Sequence, residues 1–459
     1  MFKYGQVYWN TANLIVDSGS LDEDGNTNYG KIATAIARIK KEGIKINLPL
    51  INSAEKNFIP DEATNSIYYS LKAINGVGDD DIENIINNRP FASLQDFCER
   101  MMIPKIIKNS TMISLIKAGC FEDIDGVNRA ATMERYLRGY VHAPNTSLTM
   151  SNIARMTELN IIPEDIKETL RLIKYKAYVT SDNFLYQTVI NGGKKVPKVG
   201  YHDRLFKLDD IAMEYFKANF NEDSVVEVIG QSYVISEKLF SKQVDSKIES
   251  VKLWLKSENT LNGFNEATYR ELWKKHASGT ISTWEMASLS FYYTRHELDG
   301  LNLKKYGVTD YFNLPREPES YDSFVRYIDG KQIFIPKYNI VRLAGTVLNA
   351  DNMHYTVSLL TTTGTVNVKF NKGQYAFYNR QISAHVNGEA KKTVLDRSWF
   401  KRGTLLLVCG YRQDDNFRAY RYKDTVYLHT VALIDKINPD GTLDLRFERE
   451  NPDEYQNQG

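Results

Sequence analysis

The spacing of apolar residues changes along the chain, and the changes divide it. Over residues 29–42, Ile32, Ala35, Ile36 and Ile39 recur at helical intervals and Gly43 ends the run. Upstream, Val7, Leu14 and Ile15 predict a helix within residues 1–20 that stops at Gly19, followed by the turn-rich LDEDGNTN (21–28). INLPLINS (46–53) reads as extended chain, because Pro49 disfavours helix in the residue before it. Residues 61–140 predict short helices joined by tight turns. Ser66–Ile74 leads into Asn75-Gly76-Val77-Gly78, helical spacing restarts at Ile82, Ile85 and Ile86, and PFASLQDFCER with Ile106–Lys117 repeats the pattern up to Gly119. Residues 146–285 are mixed: Ile166–Tyr175, Asp209–Phe220, Ile248–Lys256 and Glu266–His276 read as helices, and NGGKKVPKVG (191–200) as a basic loop. From Tyr338 to Ile437 the period shortens to two. IVRLAGTVL, YTVSLLTT, GTVNVKF, GTLLLVCGY and TVYLHTVALI are short β-rich runs, the pattern of a small Greek-key barrel. The final NPDEYQNQG reads as a disordered tail.

A chain of 459 residues has room for several domains. No apolar run is long enough to span a bilayer, and the N-terminus lacks the layout of a signal peptide. Cys98, Cys120 and Cys409 are scattered without metal-ligand spacing, as expected of reduced thiols in a cytoplasmic protein. The formal net charge is +1, so any basic surface must be local.

The glycine turn is the first candidate for chemistry. Gly76 and Gly78 admit positive φ and close backbone approach, and a helix starting after such a turn offers N–H groups to a phosphate. Gly76, Val77 and Gly78 are therefore candidate contacts to a DNA backbone, reading no sequence. The competing reading is a plain turn between packed helices, because Asp79, Asp80 and Asp81 crowd the helix start and repel a phosphate.

These residues have a familiar order. SIYYSLKAINGVGDDDIENIINNRPFASLQDFCERM, followed by ISLIKAGCFEDIDGVNRA, resembles the tandem helix-hairpin-helix region of the bacterial DNA polymerase III alpha subunit, a C-family polymerase. YGKIATAIARIKKEGIKINLPLINSAEKNF resembles that family's segment leading out of the fingers. LSFYYTRHEL (289–298) resembles the stretch before its OB-fold domain, with Arg295 and Glu297 where the family has Gly and Pro. Residues 338–437, with Gly345, Gly364, Val366, Phe370, Gly403 and Gly410, resemble the OB domain itself. The resemblance covers residues 1–140 and 285–437; residues 146–285 read as an insertion or a diverged clamp-binding region.

The resemblance implies a multidomain α+β protein. Residues 1–60 correspond to the end of the fingers, 61–145 to an all-α helix-hairpin-helix region, 146–330 to a mixed connecting region, 331–440 to a five-stranded OB-fold barrel and 441–459 to the tail. It also implies a palm whose aspartates hold Mg²⁺, since two-metal phosphoryl transfer needs clustered carboxylates. The Asp-x-Asp pairs here are Asp22/Asp24, Asp79/Asp81 and Asp123/Asp125, in a loop, at a helix start and after the second hairpin, and the histidines are scattered. No catalytic residue, metal or cofactor is expected on this chain. The resemblance places Met1 after the palm, which leads to the expectation of a DNA-directed DNA polymerase split into two chains, as a phage or mobile element encodes; a truncated chain would look the same. This chain would hold duplex and single-stranded DNA for a palm-bearing partner chain that carries the Mg²⁺. The alternatives are a stand-alone DNA-binding or replisome scaffold protein, and a nuclease using Asp123 and Asp125.

Within the barrel, YRQDDNFRAYRYK (411–423) interleaves aromatic and basic residues. OB-folds bind single strands by stacking bases on aromatics while cations follow the phosphates. Tyr411, Arg412, Phe417, Arg418, Tyr420, Arg421 and Lys423 are the candidate contacts, with Lys369, Lys372 and Tyr375 second. The alternative is a solvated hairpin whose aromatics alternate inward. The family's clamp-docking peptide has its nearest match in Ser236-Glu237-Lys238-Leu239-Phe240, which makes Leu239 and Phe240 candidate contacts to a sliding clamp.

Overall fold

Helical spacing at the start of the chain becomes two helices, Gln6–Asp17 and Tyr29–Lys41, in a computed structural model that describes residues 5–19, 27–186, 188–191, 194–197, 204–385, 392–420 and 429–450. The second helix buries Ile32, Ile36 and Ile39; Asn28 caps it by accepting from the Lys31 N–H at 3.0 Å, and Gly43 (φ +82°) follows its end. The chain divides into two compact units, Met1–Arg135 with Ser278–Gly459, and Tyr136–Ala277.

In the first unit, Lys45–Asn47 pairs parallel with Ser66–Tyr68, which pairs antiparallel with Ile59–Asp61. This corrects the helix expected over Ser66–Ile74: the stretch is a strand followed by turns. Ile67 is buried and Tyr68 exposed, and the phenol of the fully buried Tyr69 donates to the Leu289 carbonyl at 2.6 Å. A ladder partner and a distant side-chain anchor thus override local helical spacing. The hairpin region proper consists of Asp79–Asn87, then Leu94–Phe97 running on into Cys98–Met102, then Asn109–Lys117. Its core is aromatic, with Phe97 edge-on to Phe91 at 4.7 Å and to Phe121 at 5.1 Å. The region is tied to the helix Ile281–Leu289 by a buried ion pair, Arg129 to Glu285 at 2.9 Å. Glu285 also accepts from the Tyr293 and Thr294 N–H groups and the Thr294 hydroxyl, at 2.8, 3.0 and 2.6 Å, so this buried carboxylate is well satisfied.

The barrel strands are Val341–Asp351, Thr356–Thr361, Gly364–Lys369, Leu405–Gln413 and Asn416–Ala419. The first pairs with the second and the fourth, the second with the third, and the fourth with the fifth; the parallel pairing of third and fifth closes the ring. With the helix Lys372–Asn379 between third and fourth strands, this is the closed five-stranded barrel of an OB-fold. Val357, Leu359, Val366, Val368, Leu406, Val408 and Phe417 fill its interior. The run TVYLHTVALI is not a barrel strand: residues 425–428 lie outside the described residues, and Val431–Ile437 pairs with the flank of the fourth strand. The closing strand is the shorter Asn416–Ala419. Its approach is so close that a Cβ at Gly410 would stand 2.0 Å from the Arg418 carbonyl oxygen, which only glycine avoids.

The second unit packs the helices Glu164–Val179, Asp210–Asn219 and Glu237–Lys247 with a sheet ordered Leu185–Tyr186, Leu205–Lys207, Ser232–Ser236, Val225–Ile229 around Tyr175, Phe206, Phe216, Phe220 and Phe240. Of the expected basic loop at 191–200, the described residues are strand instead, Thr188–Asn191 pairing antiparallel with Lys194–Pro197, and residues 192–193 and 198–200 lie outside the described residues. Among the described residues no helix is long and apolar enough to cross a membrane.

Candidate nucleic-acid interface

The glycine turn enters its helix directly but is preceded by turns rather than a helix. Gly76 (φ +90°) and Gly78 are exposed and Val77 is buried. The turn is fixed: the Asn75 N–H donates to the Ser288 carbonyl at 2.9 Å, and a Cβ at Gly76 would meet the Ser114 hydroxyl at 2.9 Å. Two of the three aspartates that would repel a phosphate are engaged. Asp79 pairs with Lys72 at 2.6 Å and with Lys56 at 3.6 Å, and the Lys72 hydrogen bond holds the Asp79 carboxyl below its ordinary range. Asp81 accepts from the Thr111 hydroxyl at 2.9 Å, while Asp80 is exposed.

The second turn, between Met102 and Asn109, differs in charge. Lys105 (φ +60°) and Lys108 are exposed beside Ile103 and Ile106, and the helix Asn109–Lys117 has no acidic residue in its first turn. Helix start and lysines together favour an anion there. Sequence reasoning passed over this turn because it lacks the glycine pair. The available signal was Pro104-Lys105-Ile106-Ile107-Lys108 entering a helix free of carboxylates.

On the barrel, the interleaved strip separates by strand alternation. Phe417 is fully buried in the core and presents no face to a base, which removes it from the candidates; Tyr375 is buried there too. Arg412 is half-buried, with its guanidinium over Tyr311 at 4.6 Å and donating to the Leu314 and Asp414 carbonyls at 2.8 and 3.1 Å. It braces the loop before the barrel rather than facing solvent. Arg421 and Lys423 lie outside the described residues. What remains is an outward row: Lys369 stands opposite Arg418 across the parallel pair, and Arg418 opposite Tyr411 across the hairpin. Lys369 and Arg418 are exposed while their chain neighbours Val368 and Phe417 point inward. Tyr411 packs against Tyr338 at 4.6 Å and Tyr420 at 6.0 Å, and burial pushes its phenol above the ordinary value against the opposing pull of Arg418. Tyr338 lies outside the strip and was not visible as a member from spacing. Lys372 is exposed at the start of the helix Lys372–Asn379.

The clamp assignment is corrected. Leu239 and Phe240 lie inside the helix Glu237–Lys247, and Phe240 is fully buried among Phe216, Phe220 and Tyr175, so the pair cannot dock together on another protein. Among the described residues the Asp-x-Asp pairs assemble no metal centre. Asp22 and Asp24 lie outside the described residues, Asp125 pairs with Arg135 and accepts from Thr132 at 2.6 Å, and Asp123 is exposed. Among the described residues no group of three or more His, Cys, Asp or Glu is placed to hold a metal ion.

A helix-hairpin-helix region and a closed OB-type barrel in one unit, the barrel bearing an outward row of cations and tyrosines, define a DNA polymerase-related protein with a DNA-binding motif. The helix-hairpin-helix motif family matches residues 43–132. The probable DNA polymerase YorL of Bacillus subtilis (strain 168) is 40% identical over 456 residues, which is 98% of this chain and 34% of that protein. The DNA-directed DNA polymerase of Bacillus phage SPbeta matches with the same identity and coverage. The DNA polymerase III subunit alpha of Chlamydia pneumoniae is 33% identical over 121 residues, 26% of this chain and 9% of that subunit. The chain is homologous to the C-terminal region of the DNA polymerase III alpha subunits, as its motifs indicated, and spans about a third of the length of the first two relatives.

Proposed function

We propose that the chain is the DNA-holding portion of a replicative DNA polymerase of the polymerase III alpha type, acting in the cytoplasm with a palm-bearing partner chain. The observation that carries this reading is the joining, in one unit, of the hairpin region to an OB barrel whose exposed row of Lys369, Arg418 and Tyr411 has the chemistry of a single-strand platform. Its homology to polymerases supports it.

In this reading the hairpin turns, with Lys105 and Lys108 foremost, hold duplex product by its phosphates, and the barrel row receives the single-stranded template. Neither contact reads sequence, as a replicative enzyme requires. The nucleotidyl transfer and its Mg²⁺ belong to the palm of the partner, and this chain contributes orientation: it fixes the primer terminus relative to that palm.

The test is tagged protein isolated from its native cells, with co-purifying chains identified by mass spectrometry, followed by primer extension. A stoichiometric partner carrying clustered palm aspartates, with extension only when both chains are present, is the expected result. DNA binding without any such partner would replace this reading by a stand-alone DNA-binding role.

A further inference from the structure

Hairpin region and barrel share a cleft distinct from both surfaces described above. It has a volume of about 750 Å³ and lies between the start of the helix Tyr29–Lys41, Asn75 of the glycine turn, the end of the first barrel strand and the segment Phe400-Lys401-Arg402. The walls are fixed to one another: a Cβ at Gly30 would stand 2.7 Å from the Asn349 side chain, so helix start and barrel edge are in close contact.

The lining is electrostatically one-sided. Among the described residues it contains no carboxylate, and its charged side chains are Lys401 and Arg402. Arg402 is half-buried, donates to the Ser290 hydroxyl at 2.7 Å and lies over the Tyr29 ring at 4.6 Å. Burial pulls the guanidinium below its ordinary pKa, and the groups that oppose this are the Tyr69 and Tyr29 phenols. Among the described residues neither Lys401 nor Arg402 is paired with a carboxylate. A partly desolvated arginine without a counter-ion carries a free-energy cost that a bound anion would relieve. Its planar donors, held in orientation by Tyr29, suit phosphate oxygens, and the positive end of the helix Tyr29–Lys41 adds to the same potential.

We propose that this cleft binds a phosphate group and, resting on the DNA-holding reading above, that the phosphate belongs to a DNA strand passing from the hairpin region to the barrel. The phosphates of a free nucleotide or of pyrophosphate present the same chemistry, and the experiment separates the two sources.

The full chain is titrated with a fluorescent primer–template duplex bearing a 5′ overhang, by anisotropy over a salt series, and with inorganic pyrophosphate by calorimetry. Arg402→Gln and Lys401→Gln are compared with the parent. Each lost contact should lower the slope of log affinity against log salt by about 0.7–0.9, or roughly fivefold in affinity at ~0.15 M salt. Lys401 is exposed, so Lys401→Gln keeps the test decisive should Arg402→Gln melt early. Wild-type DNA affinity and slope in both folded variants overturn the DNA assignment. Pyrophosphate binding that both variants lose would then reassign the cleft to a free phosphate ligand, and no pyrophosphate binding would remove the site altogether. If the parent chain fails to bind DNA, the DNA-holding reading falls, and the pyrophosphate titration alone decides the cleft.

Discussion

Arg412 and Arg418 look equivalent in the sequence, yet the structure gives them opposite settings, and the difference is measurable. Arg418 is exposed opposite Lys369, whereas Arg412 donates to the Leu314 and Asp414 carbonyls and covers Tyr311. Replacing both Arg418 and Lys369 by alanine removes two cations from the outward row. At about 0.7 per phosphate on a single strand, the salt slope should fall by about 1.4. Between 50 and 200 mM salt the parent should therefore lose affinity about sevenfold more than the double variant does. Arg412→Ala should leave that slope unchanged. It deletes charged hydrogen bonds of about 1.5–3 kcal/mol each, one to the half-buried Leu314 carbonyl and one to the exposed Asp414 carbonyl, which water partly replaces, so a net loss of roughly 2–4 kcal/mol in stability is expected. The assay is anisotropy of a labelled oligothymidylate over a salt series, paired with urea melts of the same proteins. Arg412→Ala with normal stability and a reduced slope, or a double variant with an unchanged slope, would refute this division of roles.

Four further outcomes follow from the packing. Phe240→Ala should cost about 3–5 kcal/mol by emptying an aromatic core, while Leu239→Ala should stay within about 0.5 kcal/mol of the parent; equal melting points would contradict the burial. Glu285→Ala leaves Arg129 with Glu122 as its remaining carboxylate and strips the Tyr293 and Thr294 donors of their acceptor, and should destabilise the first unit by about 3–5 kcal/mol, read from the urea midpoint. Lys105→Ala with Lys108→Ala should weaken duplex binding and reduce its salt slope by up to ~1.8 without moving the melt; an unchanged slope would remove the second turn from the interface. His296 accepts from the Leu298 N–H at 3.0 Å and faces the Leu360 carbonyl at 3.2 Å, an arrangement of neutral imidazole, and burial holds its pKa below the ordinary 6.5. The folded state therefore binds the proton less readily than the unfolded chain. This contribution to stability is complete above about pH 6.5 and is lost as pH falls through the folded value. His296→Gln should flatten the melting temperature against pH in that range, and an unaltered pH profile would exclude the residue.

Where periodicity is long and one-sided, the sequence was readable: Ile32, Ile36 and Ile39 mark the buried stripe of their helix without help from tertiary contacts. Ser66–Tyr69 was not, because a four-residue stretch is decided by the strand beside it and by the reach of Tyr69 to Leu289. The barrel strip shows the same limit at finer scale. An interleaved aromatic–basic run identifies the hairpin, but a shift of one residue in register reverses which side chains face water. Only the pairing of Arg418 with Tyr411 and Lys369 sends Phe417 inward. Leu239-Phe240 has the composition of a docking peptide, and nothing within five residues reveals that Phe216 and Phe220 cover the phenyl ring. Tyr338 joins the tyrosine cluster, and Lys401 and Arg402 the cleft, through contacts remote in sequence.

The ion pair between Arg129 and Glu285 joins positions 156 residues apart, and most of that interval is the unit Tyr136–Ala277. The scaffold of hairpins and barrel is thus sealed across the gap, with the exit and return of the chain held at one socket. A segment mounted in this way can lengthen, diverge or be exchanged while the flanking parts keep their register. Here that freedom falls on the unit Tyr136–Ala277, which overlaps the stretch the polymerase III alpha resemblance passes over, so its sequence can change without disturbing the Arg129–Glu285 tie.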